Sequence, residues 1–528
     1  MCTVFAYSGS AIGLPQIRAI LERTRRRGPD SEQVLRLENG FVLAFQRLSI
    51  MGVDNRGMQP FEYKGMYSVT NGEIYGFRSI RRALEKEGYS FHSDSDCETV
   101  LYLYEKYGEK MFPLLDAEYA TVIYDKDKGL FAARDPIGIR PLFYGYDRDE
   151  KIAFASEACL LTPFCRDVIP FPPGHYYENG RFICYRDISE VRGYTYGSLE
   201  EITGNIRKKL IKAVEKRLDA DTPVAFLLSG GLDSSLVCSI AARILEHPIR
   251  TFSIGMEKDP IDSKYAEHTA SFLNAIHTNV TMSAEDVIKA LPEVINALAT
   301  YDITTIRASM GMYLLCRYIH EHTDVRVLLT GEVSDELFGY KYTDFAPDAE
   351  AFEKESQKRV HELYAYDVLR ADRCIADNSI EARVPFGDLD FASYVLSIDP
   401  EMKMNRSGHG KYLLRKAFEK GGWLPDDILW REKAAFSDAV GHSMVDELKA
   451  YAERYYEGKD LEAEYSRYPE EGRPFTPESL LYREIFESFY PGQYRMIPGF
   501  WMPNSSWPGC RVSDPSARVL SNYGKSGE

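Results

Sequence analysis

The sequence predicts two domains in series, an α+β domain of antiparallel sheets followed by an α/β doubly wound domain. Short runs rich in Val, Ile, Phe and Tyr, separated by turn residues, fill the chain up to about residue 185. From about residue 200, apolar strands alternate with amphipathic helices, which is the pattern of a parallel sheet. The length of 528 residues agrees with this division, since a domain usually takes about 100–200 residues.

Local composition and spacing predict each element of the first domain. Val, Ile, Phe and Tyr mark strands at 41–50, 66–75, 119–124, 130–134 and 152–156. Helical patterns lie at about 14–27, 79–87 and 98–107. The polar stretch 187–198 is the predicted linker. The predicted domains are therefore residues 2–200 and 201–502, and the Pro-, Ser- and Gly-rich tail at 503–528 is expected to be poorly ordered.

The second domain opens with an amphipathic helix, in which apolar side chains recur every fourth position. These side chains are Ile202, Ile206, Leu210, Val214 and Leu218. A strand at 224–228, a helix at 234–246 and a strand at 250–254 follow, and another strand lies at 325–329. Short loops between such elements indicate parallel strands joined by a right-handed crossover.

Composition narrows the class of protein. The formal charge of −16 disfavours a general nucleic-acid binder, and no apolar run is long enough to span a membrane. The nine cysteines are odd in number and contain no C-x-x-C pair. These features predict a reduced, cytoplasmic protein without nucleic-acid or membrane partners, which handles small molecules.

A glycine-rich loop, Leu228–Ser235, joins the first strand of the parallel unit to its helix. Its glycines allow close backbone approach, and the helix start offers N–H groups to an anion. Neither the Walker pattern nor G-x-G-x-x-G is present. The string S-G-G-L-D-S resembles the pyrophosphate loop of the N-type ATP pyrophosphatases, which split ATP to AMP and pyrophosphate. A capped glycine turn is the alternative interpretation.

A second loop, Thr330–Tyr340, follows the strand at 325–329 and carries three carboxylates within five positions. Such a cluster is costly without a cation. Asp335 and Asp233 together could hold Mg²⁺ on the pyrophosphate, because magnesium prefers few carboxylates plus phosphate oxygens. An acidic surface loop is the alternative.

Cys2 is the candidate nucleophile. Removal of Met1 would place a free α-amine beside its thiol, and an amine with a reference pKa of about 7.7–8.0 is suited to act as a general base. An ordinary penultimate cysteine is the alternative for an isolated Met-Cys start. Six further motifs, read in chain order, decide between these interpretations.

These motifs resemble the class II, N-terminal-nucleophile glutamine amidotransferase domain. They are Arg27–Asp30, Arg47–Ile50, Asn71–Tyr75, Ser95–Glu98, Arg134–Leu142 and Ala155–Glu157. Four segments of the second half match a synthetase: Tyr301–Ser309, Glu381–Phe386, Trp430–Lys433 and Phe436–Asp438. From Cys2 to about residue 490 the chain thus resembles the glutamine-hydrolysing asparagine synthetases. The resemblance implies an αββα sandwich glutaminase followed by an ATP-pyrophosphatase synthetase.

The resemblance also implies a role for particular residues. Cys2 would attack glutamine, with Asn71 and Gly72 as the oxyanion hole, while Glu332 and Lys433 would act in the synthetase. The implied glutamine-binding residues are Arg47, Leu48, Ser49, Ile50, Met51, Asn71, Gly72, Glu73 and Asp96. The implied ATP-binding residues are Leu228, Ser229, Gly230, Gly231, Asp233, Ser234, Ile254, Thr330 and Gly331. Thr304 and Arg307 would recognise aspartate, and Asp233 and Asp335 would hold Mg²⁺.

The implied substrates are glutamine, aspartate and ATP, with ammonia passing between two sites through an interdomain tunnel. The oligomeric state stays open, with a homodimer among the alternatives. Three positions depart from the family pattern: Arg26 stands for His, Val333 for Gly and Gly387 for Leu, and one Gly after Phe338 is missing. A β-lactam synthetase-like relative, a catalytically silent sensor and a stand-alone glutaminase are the rival hypotheses. Cys2 and the T-T-I-R string favour aspartate over the first rival. The presence of all the expected nucleophile, oxyanion and metal positions argues against the second, and the intact nucleotide loop argues against the third.

Overall fold

The computed structural model describes residues 1–432, 437 and 440–524. Two antiparallel sheets form the N-terminal half and one parallel sheet forms the core of the C-terminal half. The strands are β1 (Thr3–Tyr7), β2 (Ser31–Arg36), β3 (Val42–Arg47), β4 (Phe61–Tyr63), β5 (Met66–Ile74), β6 (Ala117–Asp125), β7 (Gly129–Arg134), β8 (Phe143–Tyr146), β9 (Ile152–Ala155), β10 (Val168–Pro170), β11 (His175–Glu178), β12 (Arg181–Cys184), β13 (Val224–Leu227), β14 (Arg250–Met256), β15 (Ile276–Met282), β16 (Val327–Leu329) and β17 (Glu381–Arg383).

Helices cover the outer faces of these sheets. They are α1 (Leu14–Leu21), α2 (Phe77–Lys86), α3 (Glu98–Tyr107), α4 (Leu199–Arg217), α5 (Leu232–Ile244), α6 (Ser263–Phe272), α7 (Ala284–Leu298), α8 (Ile303–His322), α9 (Ser334–Phe338), α10 (Ala349–Glu362), α11 (Asp367–Ala376), α12 (Leu389–Ser397), α13 (Pro400–Lys403), α14 (Tyr412–Phe418), α15 (Asp426–Leu429), α16 (His442–Tyr455), α17 (Leu461–Tyr465) and α18 (Pro477–Phe489).

The N-terminal half is an αββα sandwich, as the resemblance implied. One sheet has the order β10-β8-β9-β1-β3-β2 and the other has the order β12-β11-β7-β6-β5-β4. Buried side chains from both sheets, such as Phe45 and Val122, meet between them. Helix α1 packs on the outer face of the first sheet through Ile17 and Leu21. Helices α2 and α3 cover the second sheet. The Cys2 N–H donates to Asn71 Oδ1, so the start of β1 lies beside β5 of the other sheet.

The C-terminal half is a parallel sheet in the order β15-β14-β13-β16-β17, which confirms the predicted doubly wound domain. Helix α5 starts at Leu232, directly after β13 and the glycine-rich loop. The loop after β16 adjoins it, since β13 and β16 are neighbours. Both predicted nucleotide loops therefore lie at the carboxyl edge of the sheet, where open α/β sheets bind ligands.

Buried ion pairs join the two halves. Arg217 of α4 lies 2.9 Å from Glu118 of β6, and Arg140 lies 3.1 Å from the other oxygen of Glu118. Each of these side chains is at most 1% exposed. The strand β17 contributes Arg383, whose guanidinium reaches Glu73 of β5. A carboxylate this deeply buried requires such partners, so the two halves depend on each other for charge compensation.

The sequence predicted a poorly ordered tail after residue 502, but this segment packs against the C-terminal half. Trp507, Cys510 and Leu520 are buried in a small apolar cluster with Tyr342 and Phe352. We call residues 503–524 the C-terminal segment. No helix among the described residues is both long and apolar enough to cross a membrane.

Candidate active sites

The Cys2 site lies where β1 meets the strands β3 and β5. The Cys2 backbone N–H donates to Asn71 Oδ1 at 3.0 Å, and the Leu48 N–H approaches the Cys2 sulfur at 3.5 Å. Asn71 Nδ2 is buried and finds no hydrogen-bond partner among the described residues. A buried amide donor without a partner is costly, and it is rare unless a ligand uses it. The structure therefore brings the predicted nucleophile and a donor of the predicted oxyanion hole together.

Burial favours the neutral forms of the Cys2 thiol and of the Met1 α-amine. Burial raises the pKa of the Cys2 thiol, which is then a poor spontaneous thiolate. Met1 is fully buried, and burial lowers the pKa of its α-amine to about 5. In this chain the Cys2 nitrogen is a peptide N–H, so the Cys2 amine predicted to act as base exists only once Met1 is removed.

Arg27 holds the backbone of the predicted nucleophile, Cys2, a contact that the sequence analysis did not predict. Its Nε donates to the Cys2 carbonyl at 2.8 Å, while Nη1 donates to Glu157 at 2.7 Å and to Asp372 at 2.8 Å. Glycine at position 28 is required, since a Cβ there would lie 2.4 Å from the Gln46 carbonyl oxygen. The motif R-G-P-D was visible, but its partner Asp372 lies on α11 of the other half.

The predicted glutamine-binding residues lie around this site, and each makes different contacts. Arg47 is buried and donates to the carbonyls of Gly52 at 2.5 Å and Asp54 at 2.6 Å, so its fork is fixed by the loop after β3. Leu48, Ile50 and Met51 are buried along that loop, and Ser49 donates its N–H to Asp30 at 2.8 Å. Asp96 accepts the Ile74 N–H at 2.8 Å, and burial raises its pKa to about 6.

Glu73 pairs with a residue of the synthetase half. Its Oε1 lies 2.9 Å from Arg383 Nη2, and Arg383 also holds Glu381 at 2.9 Å. Burial raises the pKa of Glu73, and the Arg383 guanidinium opposes that rise. A residue implied to bind glutamine is thus positioned from across the domain boundary.

Gly72 lies in β5 where the strand presses against β6. A Cβ at this position would lie 2.2 Å from the Glu118 carbonyl oxygen, which is a collision with backbone. The close approach requires glycine, whether or not its N–H serves as an oxyanion donor.

The C-terminal half contains a cavity of about 250 Å³ at the carboxyl edge of the parallel sheet. Most of the predicted ATP, aspartate and metal positions line it: Leu228, Ser229, Gly231, Asp233, Ser234, Ile254, Thr304, Arg307, Thr330, Gly331, Glu332 and Asp335. Gly230 lies behind this wall with φ +72°, where the loop turns, and its carbonyl accepts from Arg431 at 3.1 Å. Lys433 lies outside the described residues.

Lys411 forms ion pairs with both carboxylates predicted to bind the metal ion, and the sequence analysis did not predict it. Its Nζ lies 2.7 Å from Asp233 Oδ2, 2.6 Å from Asp335 Oδ1 and 3.0 Å from Ser334 Oγ. Lys411 precedes α14, at a φ of +59° that few residues other than glycine adopt. No local pattern marks a lysine that acts at this distance along the chain.

One departure noted in the sequence, Val333, falls on this wall. Val333, at the family's Gly position, has φ +79°, which a β-branched residue adopts only under strain. Neighbouring Glu332 forms an ion pair with Arg370 of α11. Thr304 donates to Asp302 at 2.5 Å, so its hydroxyl is held toward the start of α8.

The fold and the sites define a class: an N-terminal-nucleophile glutaminase joined to an ATP-using synthetase. The glutamine amidotransferase domain family matches residues 1–170, and the asparagine synthase family matches residues 205–350 and 344–509. Glutamine-hydrolyzing asparagine synthetases of Mus musculus, Mesocricetus auratus and Gallus gallus are 38%, 39% and 38% identical to this chain, each over 99% of both chains. The chain belongs to the glutamine-hydrolysing asparagine synthetase family.

Proposed function

We propose that the protein makes asparagine by ATP-dependent amination of aspartate, with nitrogen released from glutamine. One observation carries the proposal. A single chain sets the Cys2 thiol beside the unpartnered Asn71 amide, and sets a glycine-rich strand–helix loop beside Arg307 in a separate cavity. The first arrangement suits amide cleavage and the second suits adenylation of an acid.

In the glutaminase, the α-amine freed by removal of Met1 would take the Cys2 thiol proton. The thiolate would attack the side-chain carbonyl of glutamine, and Asn71 Nδ2 would donate to the oxyanion. Each donor of such a hole contributes about 2.7–4 kcal/mol. The tetrahedral intermediate would then collapse to a thioester and expel ammonia, which takes its proton from the α-ammonium and passes to the second site. Water would hydrolyse the thioester, which releases glutamate and frees the Cys2 thiol. Arg47, Glu73 and Asp96 would bind the amino-acid end of glutamine.

In the synthetase, the aspartate side chain would attack the α-phosphorus of ATP and form β-aspartyl-AMP and pyrophosphate. The loop Ser229–Ser234 would hold the leaving pyrophosphate with its N–H groups and hydroxyls. Glu332 would order the intermediate or accept a proton from the incoming ammonia. The Arg370 ion pair fixes the direction of the Glu332 carboxylate.

The residues present fit Mg²⁺ bound together with the nucleotide. Within the part of the chain that the structure describes, no group of three or more His, Cys, Asp or Glu side chains is arranged to hold a metal ion. Asp233 and Asp335 converge on one point, which Lys411 Nζ marks. Two carboxylates plus phosphate oxygens match the preference of magnesium, which would neutralise the phosphate charge.

The proposal includes an ammonia passage between the halves, because ammonium at neutral pH is not a nucleophile. It also includes a cytoplasmic location, which suits nine cysteines that are all free. A homodimer is the assembly to examine alongside, by light scattering.

The decisive experiment compares nitrogen sources. Purified protein is incubated with aspartate, Mg-ATP and either glutamine or ammonium, and asparagine and pyrophosphate are quantified. Cys2→Ala should abolish synthesis from glutamine and retain synthesis from ammonium. Cys184→Ala, which removes an exposed cysteine, is the matched control and should retain both. Absence of asparagine from both nitrogen sources in the unmodified protein would refute the proposal.

A further inference from the structure

The C-terminal segment forms part of the wall of the synthetase cavity. Pro515, Ser516 and Ala517 line the cavity directly. The segment is anchored on either side of this stretch. Before it, Trp507 is buried against Tyr342. After it, Arg518 lies 2.7 Å from Asp446 of α16. The segment therefore crosses the cavity rather than ending beside it.

Asp514 begins this crossing and binds the residue implied to recognise aspartate. Its Oδ1 lies 3.0 Å from Arg307 Nη1 and its Oδ2 lies 3.1 Å from Arg307 Nη2. This is a bidentate pair on the end of the guanidinium. Lys449 Nζ lies 2.6 Å from Asp514 Oδ2. An aspartate side chain of the protein itself thus occupies the cationic face expected to take the substrate.

A second carboxylate, that of Glu478, binds the Nε edge of the Arg307 guanidinium. Arg307 Nε donates to Glu478 Oε1 at 2.8 Å and Nη2 donates to Glu478 Oε2 at 2.5 Å. Glu478 lies in α18, is 4% exposed and also accepts from Tyr482 at 2.8 Å. Asp514 is 18% exposed and lies outside regular structure. Glu478 is therefore held in the core, whereas Asp514 is the carboxylate that can exchange with a ligand.

We propose that Asp514 competes with substrate aspartate for Arg307, so that the C-terminal segment withdraws from the cavity wall when aspartate binds. This inference rests on the proposed function. The exchange conserves charge, since one carboxylate leaves the end of the guanidinium and another takes its place with the same two-bond geometry. Asp514 is thereby a residue that sets the apparent affinity for aspartate.

The competition has a measurable size. Only molecules in which Asp514 has left Arg307 can bind aspartate. When about 10% of the molecules are in this open state, the apparent KM for aspartate is about ten times the KM of the open state. Removing the internal carboxylate restores the full open fraction. We therefore expect Asp514→Asn to lower the KM for aspartate about tenfold and to leave the KM for Mg-ATP unchanged.

The first test is steady-state kinetics of ammonium-dependent synthesis in the full-length chain, with Asp514→Asn compared with Asp446→Asn. The second variant removes the ion pair with Arg518 and loosens the same segment without touching Arg307. It should leave the KM for aspartate unchanged. A KM for aspartate that is unchanged or raised in Asp514→Asn overturns the inference. An equal fall in both variants also overturns it, because loosening alone would then explain the effect.

The second test is limited trypsin digestion after Arg511, followed by mass spectrometry and without ATP. Aspartate should accelerate this cleavage in the unmodified protein, and Asp514→Asn should be cleaved fast with or without aspartate. Protection by aspartate, or no effect of aspartate, contradicts the inference. This readout does not depend on turnover. If no asparagine forms at all, the proposed function fails, while the digestion still decides whether an aspartate ligand displaces Asp514.

Discussion

Replacing Asp96 with asparagine is expected to stabilise the folded protein near neutral pH while it weakens glutamine use. Asp96 is 3% exposed and accepts the Ile74 N–H at 2.8 Å. Burial raises its pKa from 3.8 to about 6, and the nearby Glu381 carboxylate adds to the rise. Asparagine keeps the shape and an accepting oxygen but has no charge to bury.

The magnitude and the sign follow from that pKa. Between about pH 4 and pH 6 the folded protein binds more protons at Asp96 than the unfolded chain does, so stability falls as pH rises through this window. Above about pH 6 the loss is complete and amounts to about 3 kcal/mol, at about 1.36 kcal/mol per pKa unit. At pH 4.5 only about 1 kcal/mol of it has developed. The expected gain for Asp96→Asn is therefore about 3 kcal/mol at pH 8 and about 1 kcal/mol at pH 4.5.

The assay is urea unfolding, followed by circular dichroism, at the two pH values. Asp94→Asn is the matched control, because Asp94 lies in the same loop with a 66% exposed side chain. Its removal should change stability by less than about 0.5 kcal/mol. Glutamine-dependent synthesis should fall in Asp96→Asn while ammonium-dependent synthesis persists. A loss of stability at pH 8, or a gain that does not shrink on acidification, would refute the reasoning.

Three further substitutions have defined outcomes. Arg383→Met leaves the buried Glu73 carboxylate without its Arg383 ion pair. It should lower the unfolding free energy by about 3–5 kcal/mol, as measured by urea unfolding. Gly72→Ala places a Cβ against the Glu118 carbonyl and should abolish glutaminase activity, measured as glutamate release. Lys411→Met leaves the Asp233 and Asp335 carboxylates facing each other, so synthesis from either nitrogen source should fall at least about 100-fold, whereas glutamate release should persist. Retained synthesis in this last variant would show that Lys411 is not part of the nucleotide site.

Elements with a strong local signal were predictable. Helix α3 begins and ends at the predicted residues, and β14 and α4 lie within a few residues of prediction. The helix expected at 14–27 is an α-helix only to Leu21 and continues as a 3-10 turn over Glu22–Thr24, after which Arg27 reaches the Cys2 carbonyl. The strands β1, β2, β4, β8, β10–β12, β15 and β17 were not predicted. Six of them (β4, β8, β10, β11, β12 and β17) are only three or four residues long, which is too short to show a period.

The sequence by itself determined which chemistry the chain can attempt. A cysteine at position 2, the string N-G-E-I-Y and a glycine-rich loop between strand and helix are local facts, fixed by neighbours along the chain. Only the tertiary structure decided which charges meet. Glu73 pairs with Arg383, Lys411 stands between Asp233 and Asp335, and Asp514 takes the end of Arg307. These partners lie far apart in sequence, and an ion pair leaves no periodic trace in either segment. Its partners are set by the packing that removes both charges from water together.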